Sequence, residues 1–347
     1  SGTHLIIDNR VHAFSNKNAI SILKNGQINV YHDKIEKVIR IKKRSERYDH
    51  KIIGKIDLHL PFNTNLRGTI KNSDLTISKV RGTIAINTES TDSDLNNLNG
   101  NINITTRGGN ISATKLSGEM ELNVVSGDIN IFDCNANSMI TMENGNIFIN
   151  GLKGNLLSNT TLGETLVSNY EGESSVFNIN VGNLKINKSK SNINATIDIG
   201  GVNINNIQGA TTIFTGKGEI NLNNIIGDVN CNTNFGNVNG INLFGKINAN
   251  SELGDIEINK GYNSFLKDHS VNIATKRGSI SVRLPSDLPY TINSQCHNLE
   301  TRNAISSEIP LDEEFLSSKV VAQGKIKEGT ISCNLSSNYG PISIFTN

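Results

Sequence analysis

Between residues 100 and 254 a small residue recurs at almost every ninth position. The series runs Gly100, Gly109, Gly118, Gly127, Ala136, Gly145, Gly154, Gly163 and Gly172, then, after one inserted residue, Gly182, Ser191, Gly200, Gly209, Gly218, Gly227, Gly236, Gly245 and Gly254. A fixed period over that length means stacked units, each burying its apolar face only against its neighbours. Stretches such as Gly127-Asp-Ile129-Asn-Ile131 and Gly218-Glu-Ile220-Asn-Leu222 alternate apolar with polar residues, the period of a short strand with one wet face. The glycine itself reads as a corner, where a positive φ or a close backbone approach excludes a β-carbon.

The full repeat is twice nine. Two residues before every second glycine stands a further apolar residue: Val80, Leu98, Leu116, Cys134 and Leu152, then Ile207, Ile225 and Leu243 after the one-residue shift. The intervening half-repeats hold Arg107, Thr161, Gly216, Asn234 and Glu252 there, with Val125 as an exception. One coil is therefore 18 residues with unlike halves, each giving one strand. The expected fold is all-β: a single elongated β-solenoid of about ten coils over residues 68–282, with β-rich caps at 1–67 and 283–347. Caps are required because open strand edges invite aggregation.

Asparagine is about one residue in six, far above its usual share. It falls largely between the inward aliphatics, as in Val202-Asn-Ile204-Asn-Asn-Ile207, where outward amides of successive coils can stack as ladders. The 33 basic and 32 acidic residues nearly cancel, so no global charge attracts nucleic acid. One local cluster, Lys34, Lys37, Arg40, Lys42, Lys43, Arg44 and Arg47, is a candidate partner-binding basic patch. The isoleucines and valine between these residues equally suit a strand with a solvated, charged edge.

Cys134 sits in the Leu116–Leu152 ladder and Cys231 takes the second inward position after Gly227, so both read as core thiols. Five coils, on the order of 25 Å, separate them, beyond the reach of a disulfide. Cys296 and Cys333 fall in the C-terminal region, and the sequence leaves their pairing open. This is not a disulfide framework, and it favours a reducing compartment over secretion. There is no apolar stretch of membrane-spanning length and no signal-peptide pattern. Six Asn-x-Ser/Thr sequences, at Asn103, Asn110, Asn159, Asn187, Asn194 and Asn334, are what chance supplies in so asparagine-rich a chain.

Catalytic chemistry finds little to use. Carbohydrate-cleaving solenoids need clustered carboxylates, and the nearest pair, Glu219 and Asp255 with Asn237 between them, follows corner glycines, where outward charge keeps a strand soluble. The histidines His4, His12, His32, His50, His59, His269 and His297 show no ligand spacing. Calcium-binding nonapeptide repeats share the 18-residue coil, but Gly108-Gly109 and Gly200-Gly201 are not followed by their aspartate. Asp92 and Asp94 read as a loop between coils, and Gly216-Lys-Gly218 lacks the third glycine and helix of a nucleotide loop. No catalytic, cofactor-binding or metal residue is assigned.

The Gly-x-Ile-x-Ile units, Leu60-Pro61 before the first coil, and the late segment Val271-Asn-Ile-Ala-Thr-Lys-Arg-Gly278-Ser-Ile280-Ser-Val282-Arg-Leu284-Pro285 resemble the adhesin-named β-solenoid family, catalogued as a domain of unknown function. The late segment is most similar to its eukaryotic branch, the family with sequence similarity 185. The resemblance implies a β-solenoid, an association with mitochondria after removal of a transit peptide, and no established enzymatic activity. It offers no catalytic residues to carry over. The expectation is a non-catalytic structural or protein-interaction scaffold in a mitochondrial assembly, with other proteins as partners and no cofactor. The alternative is a secreted or cell-surface, adhesin-like carbohydrate-binding protein, which requires an exposed aromatic row drawn from Phe132, Phe148, Phe177, Phe214, Phe235, Phe244 and Phe265.

Overall fold

Residues eighteen apart lie side by side as neighbouring parallel strands. Leu66 pairs with Ile84, Ile84 with Ile102, and Ile102 with Met120, so each inward aliphatic stacks on its counterpart one turn earlier. The computed structural model describes residues 62–71, 74–297 and 304–347, together with the backbone of the strands Thr3–Ile7, Ser21–Ile22, Ile28–Asn29 and Val38–Arg40. The described residues are all-β, 71% strand with no helix, and form a β-solenoid of about 11 turns with strand-rich ends. It divides into two compact units, residues 1–154 and 155–347.

In the first unit the turn after Gly109 shows how the sequence sets the shape. The strand Ile111–Thr114 buries Ile111 and Ala113, and the strand Ser117–Ser126 buries Met120, Leu122 and Val124. A fully buried side chain of this size contributes about 1.5–3 kcal/mol, repeated at every turn. The ladder residues Val80, Leu98, Leu116, Cys134 and Leu152 are all buried, whereas Val125, at the alternate position, is exposed. Before each ladder residue the backbone turns through the left-handed region: Lys79, Asn97, Lys115, Asp133 and Gly151 all have φ between 50° and 78°. This is a second corner, and it points the following aliphatic inward.

That corner carries a test. Lys115 is exposed at φ 54°, a conformation β-branched residues rarely adopt. Lys115→Val is expected to lower stability by about 1–2 kcal/mol, while Lys115→Gly stays within about 0.5 kcal/mol of the parent because relieved strain offsets added chain entropy. Urea unfolding of the two variants checks this.

The residue after a corner glycine is often Asn or Asp for a definite reason. Its side-chain oxygen accepts the backbone N–H at the same place one turn later: Asn110 N–H donates to Asp92 Oδ1 at 2.7 Å, Asp128 N–H to Asn110 Oδ1 at 2.8 Å, and Asn146 N–H to Asp128 Oδ1 at 2.8 Å. These N–H groups leave the regular ladder at the corner and would otherwise lack a partner. At the start of the unit the strand Thr3–Ile7 pairs with Leu66–Lys71 and, on its other side, with Val38–Arg40, covering an edge of the first turn.

The second unit continues the pattern with one irregularity. Thr165–Val181 pairs with Leu184–Ile199, and the register shifts between Glu171 and Ser174, so the inserted residue is absorbed as a bulge at Gly172 and Glu173, where the nine-residue spacing skips. From Leu184 the inward column runs through Val202, Ile220, Val238, Ile256 and Ile280 to Ile342. The C-terminal strands Ile331–Ser337 and Ile342–Thr346 thus form a regular turn on Val271–Arg277 and Ile280–Leu284. On its far side that turn pairs with Tyr290–His297 and Ile305–Ser307. The chain terminus is therefore intercalated between two turns that precede it in sequence.

The hairpin Leu311–Leu316 with Lys319–Lys325 closes this end, lying antiparallel on Tyr290–His297. Its outer strand carries the exposed acidic run Asp312, Glu313 and Glu314. Charge on an outer strand discourages further strand addition.

Candidate interaction surface

The sites weighed from sequence separate once placed on the fold. Of the basic patch, Lys34, Lys37, Lys42, Lys43, Arg44 and Arg47 lie outside the described residues, and Arg40 is described only as backbone paired with Ile6. Asp255 stacks after Asn237, and its Oδ1 accepts the Ser279 N–H at 2.6 Å and the Ser279 hydroxyl at 2.8 Å. The carboxylate is a corner device like that of Asp92. Asp94 lies outward on the strand Ser93–Asn96, away from that role. Among the described residues no three His, Cys, Asp or Glu side chains converge as a metal site requires, and no helix is long and apolar enough to cross a membrane.

The phenylalanines do not make one row. Phe177 is in the core, Phe132 and Phe148 form a tilted pair with centroids 5.4 Å apart, and Phe214, Phe235 and Phe265 are exposed at separate places on the second unit. All four cysteines are free and buried. Along their paired strands Cys333 stands opposite Ile292, four residues before Cys296, an offset of about 13 Å that no disulfide spans. Burial pushes the Cys231 and Cys333 thiols up to about 12, which suppresses the reactive thiolate. A thiol reagent is expected to titrate none of the four rapidly in native protein at pH 7.5 and all four in denaturant; fast native labelling would contradict these placements.

The amides do stack. Asn250 Nδ2 donates to Asn232 Oδ1 at 2.8 Å, Asn272 to Asn248 at 3.0 Å, and Asn334 to Asn272 at 2.8 Å. The asparagine content thus does two structural jobs, at corners and along outer faces. A shallow groove of about 390 Å³ lies beside the bulge, lined by Tyr170, Lys188, Asn206, Gln208 and Asn224 among others. Tyr170 is buried there, and its hydroxyl donates to the Ser174 carbonyl at 3.0 Å.

A surface of a different kind lies at the residue before each corner glycine. In the first unit this position holds Gly108, Ser126 and Asn144. In the second it holds Leu162, Val181, Ile199, Lys217, Phe235 and Leu253, each paired in register with the next. The five apolar members are 48%, 42%, 51%, 54% and 38% exposed in chain order. Strand alternation explains burial on one face, but here two successive residues point outward as the chain rounds the corner: Asp198 and Ile199 are both exposed. The polar position beside the apolar one already satisfies solubility, so the fold does not require a hydrophobe in this column. The column ends on Arg277, whose guanidinium lies 5.6 Å from the Tyr339 ring centroid.

The same unit buries a charge. Gly254 and Gly278 are six residues further apart than one turn, and the extra residues form a loop at 261–270. The close-approach column Ser191, Gly209, Gly227 and Gly245 stops there. Side chains meet the carbonyls left by the departing turn: Lys260 Nζ donates to Gly245 O at 2.5 Å and Leu243 O at 3.3 Å, and His269 Nδ1 lies 3.1 Å from Phe244 O. Lys260 takes the ladder position above Leu243 and is fully buried. Burial lowers its ammonium pKa to about 8, partly opposed by Asp228 and Asp268. Tyr290, itself buried, donates its hydroxyl to His269 O at 3.0 Å.

Sequence reasoning passed over both the exposed column and the buried lysine. The column was visible as the residue before alternate glycines; Lys260 was not, because the 18-residue step from Leu243 falls on Gly261 and the lysine reaches the ladder only through the register shift between Ile241 and Leu243. No protein-family model, curated protein or solved structure matches the chain.

Proposed function

We propose that this protein is a non-catalytic scaffold that binds other proteins through the second unit. The observation that supports the reading is the exposed apolar column Leu162, Val181, Ile199, Phe235 and Leu253. Together these side chains present on the order of 400 Å² of apolar surface, divided by Lys217 between Ile199 and Phe235, a total of the size that on monomers is often functional. A rigid solenoid suits this use, because strand spacing fixes the side chains about 4.8 Å apart and little conformational entropy is lost on binding. The mitochondrial setting rests on the resemblance of residues 271–285, and no catalytic step belongs to the reading.

The experiment compares affinity purification of tagged wild type with Ile199→Asp and Phe235→Asp from cells of the native source, after fractionation. Proteins recovered with wild type and lost with both variants support the reading. Recovery of the same proteins by all three chains removes the column from the function.

A further inference from the structure

The apolar column is self-complementary, and the geometry points to a second copy of this chain as its occupant. The inference rests on the scaffold reading and names the first partner. A two-fold axis passing between Ile199 and Lys217 sets two columns antiparallel. In that arrangement Leu162 meets Leu253 of the other copy, Val181 meets Phe235, and Ile199 meets the aliphatic stem of Lys217. Each pair occurs twice, as an isologous interface requires.

Charge decides the register. Lys217 is the one cation among the six positions from Leu162 to Leu253, and Asp198 is exposed beside Ile199. Neither forms an ion pair among the described residues. With the axis between Ile199 and Lys217, the Lys217 ammonium of each copy reaches the Asp198 carboxylate of the other. Shifting the axis by one turn toward Leu253 sets Lys217 against Phe235 and leaves Asp198 without the cation. A parallel arrangement puts the two lysines together.

The area is also informative. About 400 Å² of apolar surface per copy is half of the roughly 800 Å² that each partner gives to a standard interface. Asn180, Asp198, Asn234 and Glu252, exposed beside the column, supply the polar rim that such interfaces carry. An interface of this size with two ion pairs gives a reversible dimer whose dissociation falls within a normal concentration series, and which weakens with salt.

Sedimentation velocity of the full chain over a concentration series tests it. The expected result is a monomer–dimer equilibrium. Ile199→Asp should abolish the dimer, and Lys217→Asp should weaken it at least tenfold. The double exchange Asp198→Lys with Lys217→Asp should restore it. All three positions are exposed, and unchanged melting of each variant confirms that folding is intact; Phe235→Ser serves in place of any variant that melts early.

A monomer mass at every concentration overturns the two-fold pairing, as does a dimer indifferent to Ile199→Asp and Phe235→Ser. A double exchange no better than Lys217→Asp alone overturns the register. None of these results touches the scaffold reading, which falls only if the column variants keep every protein recovered with wild type.

Discussion

Gly227→Val is expected to lower stability by about 3–5 kcal/mol, among the largest effects of any single substitution in the repeat. Gly227 has φ 153°, and a β-carbon there would overlap the Gly209 carbonyl oxygen and lie 2.6 Å from its carbon. The obstacle is backbone, which cannot swing aside as a side chain can. Making room means parting two turns, at the expense of Gly209 N–H to Ile226 O at 3.0 Å and Thr211 N–H to Asp228 O at 2.8 Å. Ala136 and Ser191 stand in the same kind of column without a positive φ. A β-carbon is therefore tolerated only where the backbone conformation is ordinary. Asn223, exposed four residues earlier, provides the control: Asn223→Ser should stay within about 0.5 kcal/mol of the parent. Urea midpoints of the two variants, read by far-UV circular dichroism, separate them, and equal midpoints would mean the corner at Gly227 bears no strain. Because repeat arrays lose cooperativity, the Gly227→Val transition should also broaden as its neighbouring turns unfold early.

The parts of the fold set by local periodicity were legible, and those set by distant pairing were not. Leu98, Leu116, Ile207 and Ile225 announce the core because an aliphatic at a fixed 18-residue step has no other explanation, and all are buried. The left-handed column was hidden by composition: Asn97, Asn206, Asn224 and Asn242 have φ between 54° and 58° but look like any other asparagine in a chain full of them. Lys79 and Lys115 share the conformation without the residue type that signals it. The C-terminal turn could not be read at all. Gly340 follows Gly278 in the close-approach column, yet 62 residues separate them, and nothing local says that Ile331–Ser337 enters between two earlier turns. The exposed column was missed for a further reason. Apolar residues were assigned to the interior by alternation, and alternation lapses at the corner, where both Asp198 and Ile199 face outward.

Lys260→Met should be nearly neutral at pH 7 and destabilising by about 2 kcal/mol at pH 9.5 relative to wild type. The reasoning follows from where the ammonium sits. At pH 7 wild type carries a buried charge at a core position; methionine removes that cost but leaves Gly245 O without the donor that Lys260 provides, and an unmet buried carbonyl costs about 1–3 kcal/mol. The two effects roughly cancel. Above pH 8 they no longer do. The folded-state pKa is lowered to about 8 from 10.5, so between those values the unfolded chain binds more protons than the native one. Stability then rises with pH in wild type, and the neutral amine still donates to Gly245 O. Methionine has no such gain, so the gap between the two proteins opens in the alkaline range. The thiols and Tyr290, whose pKa values are raised by burial, destabilise both proteins alike at high pH and drop out of the difference. Lys260→Arg, which cannot shed its proton, should instead be destabilised at every pH. Urea midpoints of the three proteins at pH 7, 8.5 and 9.5 provide the measurement. A Lys260→Met difference that stays flat across that range would mean the ammonium is reached by water, and that the loop at 261–270 does not seal the core where the 18-residue turn breaks off.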